Sequence, residues 1–439
     1  QIPLRERSET ELLLSLETTK KALDDRLDTL CNLLSNDPHS YIAFNPAPAR
    51  KLLAEVAQKS EFTDLDGTPI PSQPTETGTL LELDLPANGF RLFKQVNACH
   101  SEQRVTCDVR REESRSEGNC HPEQNEGSRP DAISSKNAFF TLKADPVTGI
   151  LEVLEPSGQS VISIKLAYKE YIMQSDRVEI LETGALRQIL SISGKLTKNG
   201  KTAANFTTTA ELAAHTGVLR FKTTLEPVET LHGDAWENSV KAVFSFSSPV
   251  KTIYRNCSNI VEQTKLERFG SLYFTAVETE TGTVNLYNHG NKLYRQRDEA
   301  LENVLLTERE PMRMFEYALE LNAPATPAQA LKAISSYYIK KANPSSQAKP
   351  NHPTESLSLF THDAENVLIT SIREQGGCIK VTYQEVSGKE TPVEVRSPLP
   401  IKRAFFTDLF GNILEEIPVK SGTVTFKLNP HALKLVRYF

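Results

Sequence analysis

Sulfur, tryptophan and one-sided charge are all in short supply. The 439 residues include six Cys, three Met and one Trp. Cys31, Cys99, Cys107, Cys120, Cys257 and Cys378 are dispersed, and no two have C-x-x-C spacing. That is too sparse for a disulfide scaffold and makes the cytoplasm the default compartment. Lys plus Arg number 50 against 56 Asp plus Glu, a net charge of −6. A nucleic-acid binder carries a basic face, so this balance argues against that class. No run approaches the roughly 20 apolar residues that span a bilayer, which excludes a membrane helix. The opening residues Gln1 to Arg7 carry charge and lack the apolar stretch of a signal peptide. The chain does not begin with Met, so it reads as processed or as a fragment. No G-x-S-x-G elbow, Walker A loop, dinucleotide fingerprint or H-E-x-x-H pair occurs.

Leucines dominate the start. Leu12, Leu13, Leu16, Leu23, Leu27, Leu30 and Leu34 recur at helical spacing over residues 8 to 35. Ser8 and Glu11 fit a capping box, and Pro38 stops the run. One amphipathic helix cannot bury its stripe alone, so its partners are expected upstream. From Tyr41 onward the texture is β. Short apolar runs are punctuated by turn pairs such as Asp66-Gly67, Ser157-Gly158, Asn199-Gly200 and Ser421-Gly422. This spacing predicts a mainly β fold, with a short N-terminal helical segment followed by several antiparallel β-sandwich domains. One later helix is predicted around Pro327 to Ile334, with Thr326 as N-cap and Pro327 in the first turn.

Two stretches break the pattern. From about His100 to Lys136 the chain is rich in Glu, Arg, Ser, Asn and Gly and almost free of large apolar residues. It reads as a disordered insertion, because it cannot bury enough surface to offset ordering entropy. The run Cys120-His121-Pro122-Glu123 onward resembles translated bacterial repeat elements, a hint of bacterial origin. Residues 343 to 354 hold Pro344, Pro350 and Pro353 among polar residues and read as a linker.

Candidate chemistry is thin. Cys99-His100, Cys107 and Cys120-His121 are spaced too widely for zinc knuckles, and read as a solvated loop. His362 and Asp363 would point to opposite faces of a strand, which speaks against a joint acid–base role. Asp408 fits a turn position before Phe410-Gly411-Asn412. Three residues are singled out for a carbohydrate rim. Trp236, flanked by polar neighbours, offers an indole face for stacking on a sugar; a packed indole is the competing reading. Asn288 and His289 sit on a polar turn after the strand from Thr283, where loops on a rigid scaffold carry binding; a hydrogen-bonded hairpin turn competes there.

Several segments together resemble the C-terminal half of glycoside hydrolase family 38, the α-mannosidases. They are Tyr41-Ile42-Ala43-Phe44-Asn45-Pro46, the Asp66-Gly67 to Gln73 hairpin, and Leu85-Pro86-Ala87-Asn88-Gly89-Phe90. Further along come Asn137 to Leu151, Val284 to Gly290 with Tyr294, Leu357 to Ile372, Asp408 to Asn412, and Phe426 to Leu435. Each is a strand plus a turn, and their order along nearly the whole chain carries the resemblance.

The resemblance implies a large galactose-mutarotase-like supersandwich plus smaller sandwiches. It divides the chain into a bundle tail (1–37), a small β-domain (38–98), the insertion (99–136), the supersandwich (137–342), a linker (343–356) and a last sandwich (357–439). It implies hydrolysis of terminal α-mannosyl linkages by the intact enzyme, with zinc and an aspartate nucleophile in an N-terminal α/β barrel. Neither metal motif of that barrel is in this chain, so no catalytic residue and no metal ligand is assigned. The expected partners are α-mannosyl glycans, together with the barrel and helical bundle normally in the same polypeptide; neither nucleic acid nor membrane is expected. The expected role is a scaffold and pocket rim. A stand-alone carbohydrate-binding module and a decayed, inactive fragment are the alternatives.

Overall fold

A computed structural model describes residues 37–96, 132–308, 310–342 and 355–439, with isolated positions between 21 and 35. Most of the predicted helix over 8–35, the cysteines at 31, 99, 107 and 120, and most of the insertion and linker lie outside the described residues. The described part is built from antiparallel sheets. Alternating apolar positions place one face of each strand in a core, as in Thr423–Leu428, where Val424, Phe426 and Leu428 are buried and the residues between them are not.

The largest unit is a sandwich of an eight-stranded and a nine-stranded sheet. The first runs from Arg268–Gly270 at one edge through Val240–Phe246 and Ser160–Ala167 to Ile133–Lys136 at the other. The second runs from Ile172–Thr183 through Arg187–Lys198, Lys201–Ala213, Val218–Pro227, Met314–Leu321 and Thr283–Asn288 to Ile260–Thr264. Rings meet between them: Tyr317 stacks on Phe221 at 5.2 Å and meets Phe244 of the opposite sheet edge-on at 5.9 Å. Buried hydroxyls on the same inner face satisfy each other, Thr208 with Thr223 at 2.9 Å and Thr223 with Tyr317 at 3.0 Å. Asn199 (φ 50°) and Gly200 (φ 77°) form the tight hairpin joining Arg187–Lys198 to Lys201–Ala213. Both need the left-handed region, which Asn and Gly occupy at least cost.

The first β unit holds a three-stranded sheet (Arg50–Val56, Thr79–Leu85, Ser72–Pro74) and a five-stranded sheet around Ser40–Asn45 and Gly89–Gln95. Tyr41, Phe62 and Phe93 form its ring cluster. This sheet also takes in Tyr338–Lys341, paired with the strand from Ser40, and Ser356–Ser358, paired with Gly89–Gln95. The expected division puts Tyr338–Lys341 in the supersandwich and Ser356–Ser358 at the junction of the linker, which ends at 356, and the last sandwich, which starts at 357. Backbone pairing places them with the first unit, because Ser40–Asn45 and Gly89–Gln95 each have a free side for another strand. Similarly, the expected insertion ends in a strand: Ile133–Lys136 pairs with Thr141–Ala144, with Ser135 buried. The last sandwich packs a four-stranded sheet on a five-stranded one around Phe360, Tyr383, Phe426 and Tyr438.

The helix Pro327–Ile334 starts as expected: the Thr326 hydroxyl accepts from the Gln329 N–H at 3.2 Å. It lies on the outer face of the nine-stranded sheet, burying Ala330 and Ala333 against Phe274, Ala276, Tyr287 and Ala318. Beneath it the buried Glu320 carboxylate accepts from Tyr287 Oη at 2.6 Å and Gln329 Nε2 at 2.9 Å. Among the described residues no helix is long and apolar enough to cross a membrane.

Candidate functional site: a cleft between the first unit and the large sandwich

A cavity of about 730 Å³ opens where the three-stranded sheet, the helix end and the outer face of the nine-stranded sheet converge. Two polar clamps hold its walls. Asn45 is buried and ties the entry of the first unit, donating to Pro86 O at 2.8 Å and accepting from Arg50 Nε at 3.1 Å. Arg50, so aimed, donates to the carbonyls of Lys332 (3.1 Å), Ser335 (2.7 Å) and Ser336 (2.9 Å). Arg220 of the large sheet adds Ala333 O at 3.1 Å. The Lys332 and Ala333 carbonyls are among those a helix C-terminus leaves without partners, Ser335 is its C-cap, and cations are favoured there. Burial, followed by repulsion from Arg220, brings the Arg50 pKa down to about 10.

The second clamp is Gln73. Its Oε1 accepts from the N–H groups of Leu186 (2.8 Å) and Arg187 (3.0 Å), and its Nε2 donates to Glu182 Oε1 at 2.5 Å. Gly184 permits this approach, since a Cβ there would fall 2.0 Å from the Gln73 amide. Arg187 then meets Glu182 through Nε at 3.1 Å and Nη2 at 2.7 Å, with Glu211 at 3.6 Å. Burial opposes its charge, but Glu182, Glu211 and Glu55 outweigh that and raise its pKa. His215, facing Glu82 at 3.3 Å, is a third contact between the units. Burial lowers its pKa despite the carboxylate.

Strand register builds the cleft wall from residues far apart in sequence. Thr207 pairs with Thr224, Thr209 with Lys222, and Glu211 with Arg220. Lys222 in turn faces Glu316 on the next strand. Because side chains alternate, all of these lie on the outer face while Phe206, Thr208, Phe221 and Thr223 fill the core.

Of the three residues singled out from the sequence, only His289 lines the cleft. Its N–H donates to Glu316 O at 3.3 Å, and crowding by the wall lowers its pKa, with Arg220 acting the same way against Glu316. Asn288, its neighbour, points inward and is 1 % exposed. Its amide donates to Ser271 O (3.3 Å) and Tyr294 Oη (3.2 Å) and accepts from the Gly290 N–H (3.2 Å), so the turn itself uses the whole side chain. Trp236 is elsewhere, half-buried on the loop before Val240–Phe246, with the Arg268 guanidinium 5.8 Å from its ring centroid. Glu237 beside it pairs with Arg268 (2.6 Å) and the buried Arg295 (3.0 Å). The structure does not bring Trp236 together with the other two. The cleft wall escaped sequence reasoning because its residues come from four strands, and no local motif marks them.

The other flagged groups have structural partners. The His362 ring packs edge-on against Tyr383 at 6.4 Å, while the Asp363 carboxylate accepts from the Glu394 N–H at 2.9 Å. Asp408 accepts from the Asn412 N–H at 2.8 Å, as a turn residue does.

No protein-family model matches the sequence, and no curated protein does. Solved structures do resemble it. An α-mannosidase from Enterococcus faecalis V583 aligns over 93 % of this chain with a TM-score of 0.62 and 12 % identity. A protein in glycosyl hydrolase family 38 from Enterococcus faecalis aligns over 91 %, again with a TM-score of 0.62, at 10 % identity. The present chain spans 57 % and 58 % of those two chains. At such identities the likeness is one of fold.

Proposed function

We propose that this chain is the non-catalytic C-terminal β region of an α-mannosidase-type glycoside hydrolase, acting as scaffold for a catalytic α/β barrel and as rim of its sugar pocket. The observation that supports this most is the extent of the fold likeness: it runs through 93 % of this chain but 57 % of the α-mannosidase. The remainder of the longer chain has room for a catalytic unit. In this reading the partners are α-mannosyl glycans and a barrel with its helical bundle. His289 at the cleft mouth is the rim residue the geometry favours over Trp236 and Asn288.

Zinc belongs to the barrel in this reading. The described residues do not fit it: among them no group of three or more His, Cys, Asp or Glu is placed to hold a metal ion. No hydrolytic step is therefore assigned to them. What the chain supplies is rigidity, through the Gln73 and Arg50 clamps. The test is release of the aryl group from an aryl α-mannoside. The chain alone is expected to give none, and a polypeptide joining it to a family 38 barrel is expected to be active. Turnover by the chain alone would overturn the proposal.

A further inference from the structure

We propose that the 730 Å³ cleft is itself a binding site for a neutral, polyhydroxylated ligand, a short saccharide, independent of any catalytic unit. The volume lies within the range of small-molecule sites, about 300–1,000 Å³. The argument then rests on which polar groups are already used. Arg50, Arg187 and Glu55 are engaged by the clamps and by Thr75. Across the outer sheet face, the hydroxyls of Thr207, Thr209 and Thr224, the Lys222 ammonium and the Glu316 carboxylate have no hydrogen bond or ion pair among the described residues. Lys222 and Glu316 face each other in register, yet they do not close an ion pair.

The signs of these groups select the ligand. An anion would meet Glu211 and Glu316; a cation would meet Arg220 and Lys222. An apolar molecule would cover both kinds without satisfying either, which is costly for polar groups taken out of water. A sugar hydroxyl donates and accepts at once, so it matches a wall where donor, acceptor and hydroxyl alternate. Thr209 beside Lys222, with Glu316 next across, offers that alternation in one line perpendicular to the strands. The apolar floor from Leu52, Leu80, Ile189 and Tyr337 suits the carbon face of a pyranose. The clamps hold both walls before binding, so little ordering is needed on association.

The inference leans on the glycosidase reading only in choosing mannose sugars as one of the probes. The experiment is calorimetric titration of the full 439-residue chain with α-linked mannotriose, maltotriose and inorganic phosphate. A saturable trisaccharide signal is expected, weakened about three- to tenfold by Thr209→Val and by Glu316→Ala, consistent with loss of one or two hydrogen bonds. Lys201→Ala, on the far hairpin and outside the cleft lining, should bind like the parent. Circular dichroism should show all variants folded. Binding of maltotriose but not mannotriose would uphold the cleft and contradict the mannosidase reading. No saccharide binding, binding of phosphate alone, or saccharide binding untouched by both wall variants would overturn the inference.

Discussion

Replacing Gln73 by Ala should loosen the contact between the first unit and the large sandwich. Gln73 is 6 % exposed and reaches across to the turn between Ile172–Thr183 and Arg187–Lys198. The change removes one acceptor serving two N–H groups, those of Leu186 and Arg187, and one donor to Glu182. A buried donor left without a partner costs about 1–3 kcal/mol. Water reaching the emptied space recovers part of that, so the expected loss is about 2–4 kcal/mol in all. Gln73→Glu should be at least as damaging near neutral pH, since it keeps the acceptor but faces Glu182 with a second negative charge. A chain with several cores need not unfold in one step. The readout is therefore local: hydrogen exchange at the Leu186 and Arg187 amides should speed up by about 30-fold or more, the equivalent of about 2 kcal/mol. Exchange at Val381 and Val436, in the core of the last sandwich, should not change. Unchanged protection at Leu186 and Arg187 in both variants would refute the reasoning.

Other consequences can be checked in parallel. Glu385 is fully buried; burial alone would raise its pKa, but donors from Ser387, His431 and Asn366 outweigh that and hold it at about 2 against an ordinary 4.5. A depressed carboxylate stabilises above its unfolded pKa and loses that contribution as pH falls through the folded one. The last sandwich should thus lose about 2–3 kcal/mol between pH 4.5 and 2, allowing for partial solvent screening. Near-UV dichroism in urea should show this loss, and Glu385→Gln should flatten it; an equal slope in the variant contradicts the assignment. Arg50→Lys should behave almost like Arg50→Ala, because one ammonium cannot fork to three carbonyls. Each should cost about 1.5–3 kcal/mol, seen as faster exchange at the C-terminal end of Pro327–Ile334, and full rescue by Lys would contradict the clamp. Gly194→Ala would bring a Cβ to 2.1 Å from Gln174 O, so it should destabilise by about 1–3 kcal/mol, and a melting temperature equal to the parent's would count against the packing described.

Much of the fold is legible because turns leave local marks. Asn199-Gly200 and Thr326-Pro327 announce a hairpin and a helix start through backbone preferences that tertiary context does not override. Val424, Phe426 and Leu428 show by alternation alone which face is buried. The resemblance blocks also have physical content: Asn45 and Gln73, quoted there as motif letters, are the buried amides of the two clamps. Strand partnership is less legible. Nothing within Tyr338–Lys341 or Ser356–Ser358 says that each pairs with the first sheet, since that depends on which edges stay free for strands about 260 to 290 residues further along the chain. The site is the least legible part. Asn288 and His289 look alike in a polar turn, yet the strand's pleat sends one inward and the other to the cleft. The Thr209, Lys222 and Glu316 line exists only through register.

The central claim, that these sandwiches buttress a mannosidase whose metal-binding half lies outside the described sheets, is tested most directly by the zinc content of the purified chain after dialysis. The account predicts far less than one zinc per chain, with no gain in thermal stability on adding zinc. One tightly held zinc per chain would contradict it.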